Sequence, residues 1–144
     1  MRNEVGTGSP VVGDGSNFVR TMARLAAEGA TPTVVADQVG RLTFTDEIVR
    51  AVRHLFDVRA PYGIYHVSNG GPPMSWADVA RAVFVLRGRD PGAVRDTTTD
   101  EYAAGRALAP RPANSVLSTR RIEATGFEQV DARKALSAYA SSLP

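Results

Sequence analysis

The side chains best suited to moving a proton in this chain are its four tyrosines and two histidines. A tyrosine donates to a carbonyl oxygen when a lysine one helical turn further on lowers its pKa. Four residues after Tyr62, Tyr65, Tyr102 and Tyr139 stand His66, Asn69, Arg106 and Leu143, so none has that partner. His54 and His66 have no further metal-binding residue at ligand spacing. They read as structural or solvated groups, one on a helix face and one in a strand. With no cysteine, thiol catalysis, thiolate metal sites and disulfides are excluded, which suits a reducing compartment.

Two glycine turns are candidates for holding phosphate. Val11-Val12, Gly13-Asp14-Gly15, a following helix and Asp37 at the end of the next strand imitate a dinucleotide fingerprint, but Phe18 occupies the position of its third glycine. A ring there keeps helix and strand apart. In Asn69-Gly70-Gly71-Pro72-Pro73 the prolines remove amides that would cradle an anion. Both read as turns ahead of helix caps. What remains is suited to binding: Arg41 and Arg111 can grip a diphosphate through the guanidinium fork, and Asn17, Gln38 and Asn114 can meet sugar hydroxyls or a pyrimidine edge. Structural roles stand beside these: Asn17 as a cap, Asp37 ordering the turn before Gly40, Arg111 as a solvated loop residue, and Trp76 as a core or interface anchor.

The elements that must position these groups follow from periodicity. Phe18, Val19, Met22, Leu25 and Ala26 mark a helix capped by Ser16 or Asn17. Thr33–Ala36 reads as a buried strand, Asp37–Arg41 as a turn, Thr45 as the cap of a second helix through Phe56, and Ile64–Val67 as another strand. Ser75 with Asp78, bracketed by Met74 and Val79, is a capping box with a staple for a third helix that stops at Gly88. A strand over 93–99 and short helices near 120–125 and 132–140 complete the pattern. This alternation predicts an α/β fold, a small lobe with about three short, mainly parallel strands and about five helices, lacking a complete Rossmann domain. Residues 1–10 read as a flexible lead-in and 11–144 as one domain.

At 144 residues, 43% of them apolar, the chain can bury a single core. The net charge is +2, and the 17 basic residues, all arginine except Lys134, are interspersed with acids. That pattern argues against a nucleic-acid partner. No apolar run approaches the length of a membrane span and the first residues carry no signal-peptide core, so the expectation is a soluble, cytoplasmic protein.

Taken together, GDGSNFVRTM (13–22), VVADQVGRLTF (34–44), GIYHVSNGG (63–71) with Ser75-Trp76, Glu101-Tyr102 and RPANSVLST (111–119) resemble, in order and spacing, the C-terminal portion of dTDP-4-dehydrorhamnose reductases. These are extended short-chain dehydrogenases of dTDP-L-rhamnose biosynthesis that use NADPH to reduce a 4-keto sugar carried on dTDP. The resemblance covers about residues 11–136. It implies a C-terminal lobe that holds the nucleotide sugar, while an N-terminal Rossmann domain supplies the glycine loop and a Tyr-x-x-x-Lys pair. It implies no cofactor in this chain, NADPH for the complete enzyme, and a Rossmann domain in cis or trans as partner. By the same resemblance, Asn17, Phe18 and Val19 open a helix beside the substrate, Asp37 and Gln38 end a strand near it, and Arg111 lies on the loop that closes over it; Arg41 and Asn114 join the candidate set by residue type alone. Arg41-Leu42-Thr43 departs from the usual Ser-Pro-Thr, and Ala132 replaces a frequent tryptophan. Two other readings remain open: a non-catalytic subunit that self-associates or recruits a partner through an exposed face, and a free-standing nucleotide-binding enzyme built on Gly13-Asp14-Gly15.

Overall fold

A computed structural model describes residues 17–105 and 109–143. The Val11-Val12 run, the Gly13-Asp14-Gly15 turn and the cap candidate Ser16 lie outside the described residues. Helix α1 (Phe18–Ala27) starts where Asn17 Oδ1 accepts the Arg20 amide at 2.9 Å. Asn17 Nδ2 donates to the Tyr139 hydroxyl at 2.8 Å, tying α1 to the last helix. Strand β1 (Thr33–Val35) follows. Strand β2 (Val39–Gly40) then forms where a simple turn was expected.

Helix α2 (Thr45–Asp57) begins one residue earlier than its apolar pattern implies. Thr45 is its first helical residue rather than its cap, and the capping position belongs to Phe44, whose amide is held by Asn69 Oδ1 at 2.8 Å. Strand β3 (Met74–Ser75) leads directly into helix α3 (Trp76–Leu86) through the expected capping box. Ser75 Oγ accepts the Asp78 amide at 3.1 Å while Asp78 Oδ2 accepts the Ser75 amide at 2.9 Å. Gly88 follows the C-cap Arg87 at φ +68°, a left-handed conformation that a side chain would strain.

A 3₁₀ turn (Pro91–Ala93) precedes strand β4 (Arg95–Thr97), shorter than the 93–99 stretch expected. Helix α4 (Thr99–Ala103), not anticipated, carries its own capping box from Thr98 and Glu101. Helices α5 (Arg120–Glu123) and α6 (Ala132–Ser142) match the two expected near the end.

The described residues thus form an α/β lobe of six α-helices and four short strands. Strands β1 and β4 pair in parallel, Val34 opposite Asp96, and β2 and β3 pair antiparallel, Gly40 opposite Met74. Helix α3 is the central element. Its Ala77, Val79, Ala80, Val83 and Phe84 are buried, and small residues at 77 and 80 let α1 approach closely. Val19, Met22, Ala26, Val34 and Leu136 complete that core.

Ile64–Val67 does not form the expected strand. Among the described residues no strand lies beside it, and a β-ladder cannot exist without one. Ile64 is 78% exposed, whereas Tyr65 and Val67 pack on a small second cluster of Ala51, Ile122 and Phe127.

Asn69, 1% exposed, is a buried polar group that ties distant segments together. Besides holding the Phe44 amide, it donates from Nδ2 to the Val130 carbonyl at 3.0 Å. The Val130 amide donates to Glu47 Oε1 at 2.9 Å, and Arg50 pairs with the other oxygen of that carboxylate. Asn69→Ala strands the buried Phe44 amide and removes one of the two donors to the Val130 carbonyl, which keeps the Gly70 amide. The expected loss is about 3 kcal/mol, read as a lower urea midpoint with an unchanged slope. A loss near zero would show that water replaces the side chain.

Candidate functional site

A cleft of about 350 Å³ opens between β2, β3, the start of α3 and the 111–117 loop. Its first wall is the chain from Gln38 to Thr43. Its second runs from Met74 to Trp76 with Val79, and Val67 and Ser68 line it as well. The third wall is the loop, which β2 holds in place: Val39 N donates to Ala113 O at 2.8 Å and Ser115 N donates to Val39 O at 2.9 Å. A Cβ on Gly40 would stand 2.7 Å from Ser115 Oγ, so a side chain at this seam would turn that hydroxyl away from its bond to Val39 O. Stitched down in this way, the loop brings Arg111 and Leu117 to the cleft.

The cleft carries two arginines and, among the described residues, no carboxylate in its lining. Trp76, half-buried at the first position of α3, presents an aromatic wall and is braced from behind by Phe18, edge to face at 4.9 Å. Leu42, Met74 and Val79 extend the apolar surface. A cleft of this size, mostly apolar with a few placed polar groups, is the usual form of a small-molecule site. Arg41 also borders a second, shallower depression of about 400 Å³ formed by Val116–Arg120 and Glu123. The Arg41 Nε and the Ser68 Oγ are buried without a hydrogen-bond partner among the described residues. Leaving such a group unpaired costs about 1–3 kcal/mol.

Of the residues singled out from sequence, the structure brings Gln38, Arg41 and Arg111 together in this cleft. Phe18 supports it from one layer back. Asn17 is occupied as cap and Tyr139 partner, and Val19 is wholly buried in the core. Asp37 accepts the Thr99 amide at 2.9 Å and the Thr99 hydroxyl at 2.7 Å, which holds its pKa below the usual carboxylate range. Gln38 Nε2 donates to the same hydroxyl at 3.0 Å, fixing the amide at the cleft edge. Asn114 is exposed beside the cleft, its Oδ1 accepting the Val116 amide at 2.9 Å. Ser68 was not expected. Its only signal is its place before the buried Asn69. Trp76 proves to be anchor and cleft wall together. His54 Nε2 lies 3.0 Å from Thr125 Oγ1 on the far side of α2, and His66 is exposed.

The second glycine turn does not offer a cradle for a dinucleotide phosphate. At the second glycine turn Gly71 has φ +89°, and a Cβ there would lie 2.5 Å from an Asp131 carboxylate oxygen. The space a phosphate needs is therefore bordered by a negative charge, and the Gly70 amide is already given to Val130 O at 2.9 Å. Among the described residues no three His, Asp or Glu side chains gather as a metal site.

The fold and cleft define an α/β lobe with a cleft of the form that takes a small molecule. Within that class the chain belongs to the RmlD substrate binding domain family, whose model matches residues 9–143. It is 44% identical over 125 residues to the spore coat polysaccharide biosynthesis protein SpsK of Bacillus subtilis, covering 87% of this chain and 42% of that one. It is 42% identical over 125 residues to a dTDP-4-dehydrorhamnose reductase of Mycolicibacterium smegmatis, covering 86% and 37%. It also matches the crystal structure of a dTDP-4-dehydrorhamnose reductase from Bacillus anthracis in complex with NADP with a TM-score of 0.75 at 32% identity, over 90% of this chain and 44% of that one. The chain thus spans less than half the length of these relatives.

The Asp78 carboxylate, on the helix that carries Trp76, is lowered in pKa first by the Ser75 amide and then by its hydroxyl. A lowered native value adds stability that is complete above the ordinary pKa of 3.8 and is lost as pH falls through the native one. Asp78→Ala should therefore destabilise the protein at neutral pH by about 1 kcal/mol, and the gap to wild type should narrow as the pH falls below 3.8. Urea midpoints across that range check it; a pH-independent gap would contradict it.

Proposed function

We propose that residues 11–144 form a single lobe, preceded by a lead-in over 1–10, that binds a dTDP-sugar for a dTDP-4-dehydrorhamnose reductase-like oxidoreductase of dTDP-L-rhamnose biosynthesis. The observation that carries this reading is the meeting of Gln38, Arg41 and Arg111 beside Trp76 in a cleft lined by no carboxylate among the described residues. Guanidinium forks suit a diphosphate, the indole and its aliphatic neighbours suit a pyrimidine face, and Gln38 and Asn114 suit its edge or sugar hydroxyls. Asn17, Phe18 and Val19 act as the seat of α1 behind the tryptophan, and Asp37 as the clamp that orients Gln38.

Reducing a 4-keto sugar requires a hydride from NADPH and a proton for the new hydroxyl. In this reading both come from a Rossmann domain joined in cis or in trans, and this chain supplies grip and orientation. A surface suited to such a partner is present. On α2, Val49, Val52 and the 78%-exposed Phe56 fall at helical spacing, and Tyr62 and Ile64 are exposed nearby in sequence. The same face supports a second reading, a non-catalytic subunit that self-associates through it. Among the described residues no helix is long and apolar enough to cross a membrane, in keeping with a cytoplasmic site of action.

Calorimetric titration with dTDP-rhamnose should show saturable binding to the isolated chain, weakened about tenfold or more by Arg111→Ala. A folded sample without binding heat would overturn the substrate-lobe reading. Sedimentation of the same sample addresses the alternative, which requires a dimer that Phe56→Glu dissolves.

A further inference from the structure

Ser68 is 4% exposed, lines the cleft, and has a buried hydroxyl without a hydrogen-bond partner. Its backbone neighbour Asn69 is pinned at both ends of its amide group, to Phe44 N and to Val130 O, so the chain at this point has little freedom to carry Ser68 elsewhere. A hydroxyl held in such a place normally finds an acceptor within the protein. Across the same cleft Arg41 presents a second buried donor without a partner, its Nε–H. Two donors without a partner among the described residues, one of them on a permanent cation, thus belong to residues that line a cleft with no carboxylate in its described lining.

We propose that Ser68 is a ligand-positioning residue, its hydroxyl and the Arg41 Nε–H together holding a phosphoryl oxygen of the bound ligand's diphosphate. This rests on the reading of the cleft as a dTDP-sugar site and adds a residue to it. A phosphoryl oxygen fits better than a sugar hydroxyl. It carries charge for the guanidinium and has lone pairs enough to accept from both donors at once, and the Nε edge of an arginine is shaped for it. The location fits as well. Arg41 borders both the cleft and the depression formed by Val116–Arg120 and Glu123, so a diphosphate held there stands next to hollows of about 350 Å³ and about 400 Å³ that can take the rest of the molecule.

The test is a titration of the intact chain with dTDP and with thymidine, for wild type, Ser68→Ala and Arg41→Lys, with a thermal midpoint for each protein. A purely structural hydroxyl would lower the midpoint when removed. An orphaned one leaves the midpoint unchanged or raised, because alanine strands no partner. The expected result for Ser68→Ala is a loss of dTDP affinity of about tenfold with thymidine affinity and midpoint preserved. Arg41→Lys should lose dTDP affinity by a similar factor despite keeping its charge, since lysine has no equivalent of the Nε–H. Wild-type dTDP affinity in Ser68→Ala would overturn the proposal and leave the cleft reading standing. Equal losses for dTDP and thymidine together with a lower midpoint would overturn it in favour of a structural role. A wild-type protein that binds neither ligand would overturn the cleft reading and the proposal together.

Discussion

The Ser68 wall of the cleft and the elements beside it depend on one buried amide. Asn69 has no access to water, so each of its hydrogen-bonding atoms must be answered from within the protein, and the geometry of those answers fixes three segments at once. Its oxygen sets where α2 starts, its nitrogen holds the chain at Val130, and one residue beyond, Asp131 caps α6 by accepting the Arg133 amide at 2.7 Å. Glu47 closes the ring from α2 to the Val130 amide, with Arg50 balancing its buried charge. Ser68 enters the cleft wall as a consequence of this clasp. The chain cannot relax to satisfy its hydroxyl without breaking better bonds.

That constraint separates the parts of the lobe that are finished from those that are not. The core around α3 is closed: aliphatic residues fill it, and the capping boxes at Ser75 and Thr98 leave few amides unanswered. The cleft is polar where it is unsatisfied, at Arg41 and Ser68, and the surface of α2 is apolar where it is exposed, at Val49, Val52 and Phe56. In the proposed function the first kind of deficit suits a charged small molecule and the second another protein surface. A substrate lobe that meets a cofactor-binding domain needs both.

Much of this was legible in the sequence wherever the determining interaction is local. The capping box of α3, the seat of α1 on Asn17 and the stop at Gly88 are all set by residues within a few positions of one another. The box of α4, Thr98 with Glu101, is as local as that of α3 and was readable, but the helix is too short for periodicity to mark it. Long-range determinants were not legible. The start of α2 is decided by Asn69, 25 positions away, which displaces the cap from Thr45 to Phe44. Ile64–Val67 has the composition of a strand and no neighbour to pair with, and strand propensity without a partner builds nothing. The cleft followed the same division. Gln38, Arg41 and Arg111 could be named from residue type, whereas Ser68 carries no chemical signature and emerges only from its burial.

The most direct test of a sugar-nucleotide site in this cleft is to follow backbone amide resonances of the isotopically labelled chain as dTDP is added. Saturable shifts concentrated at Gln38–Thr43, Ser68, Trp76 and Arg111–Leu117, with α2 undisturbed, are the predicted result. Shifts confined to α2, or a folded protein whose cleft amides do not respond, would contradict it.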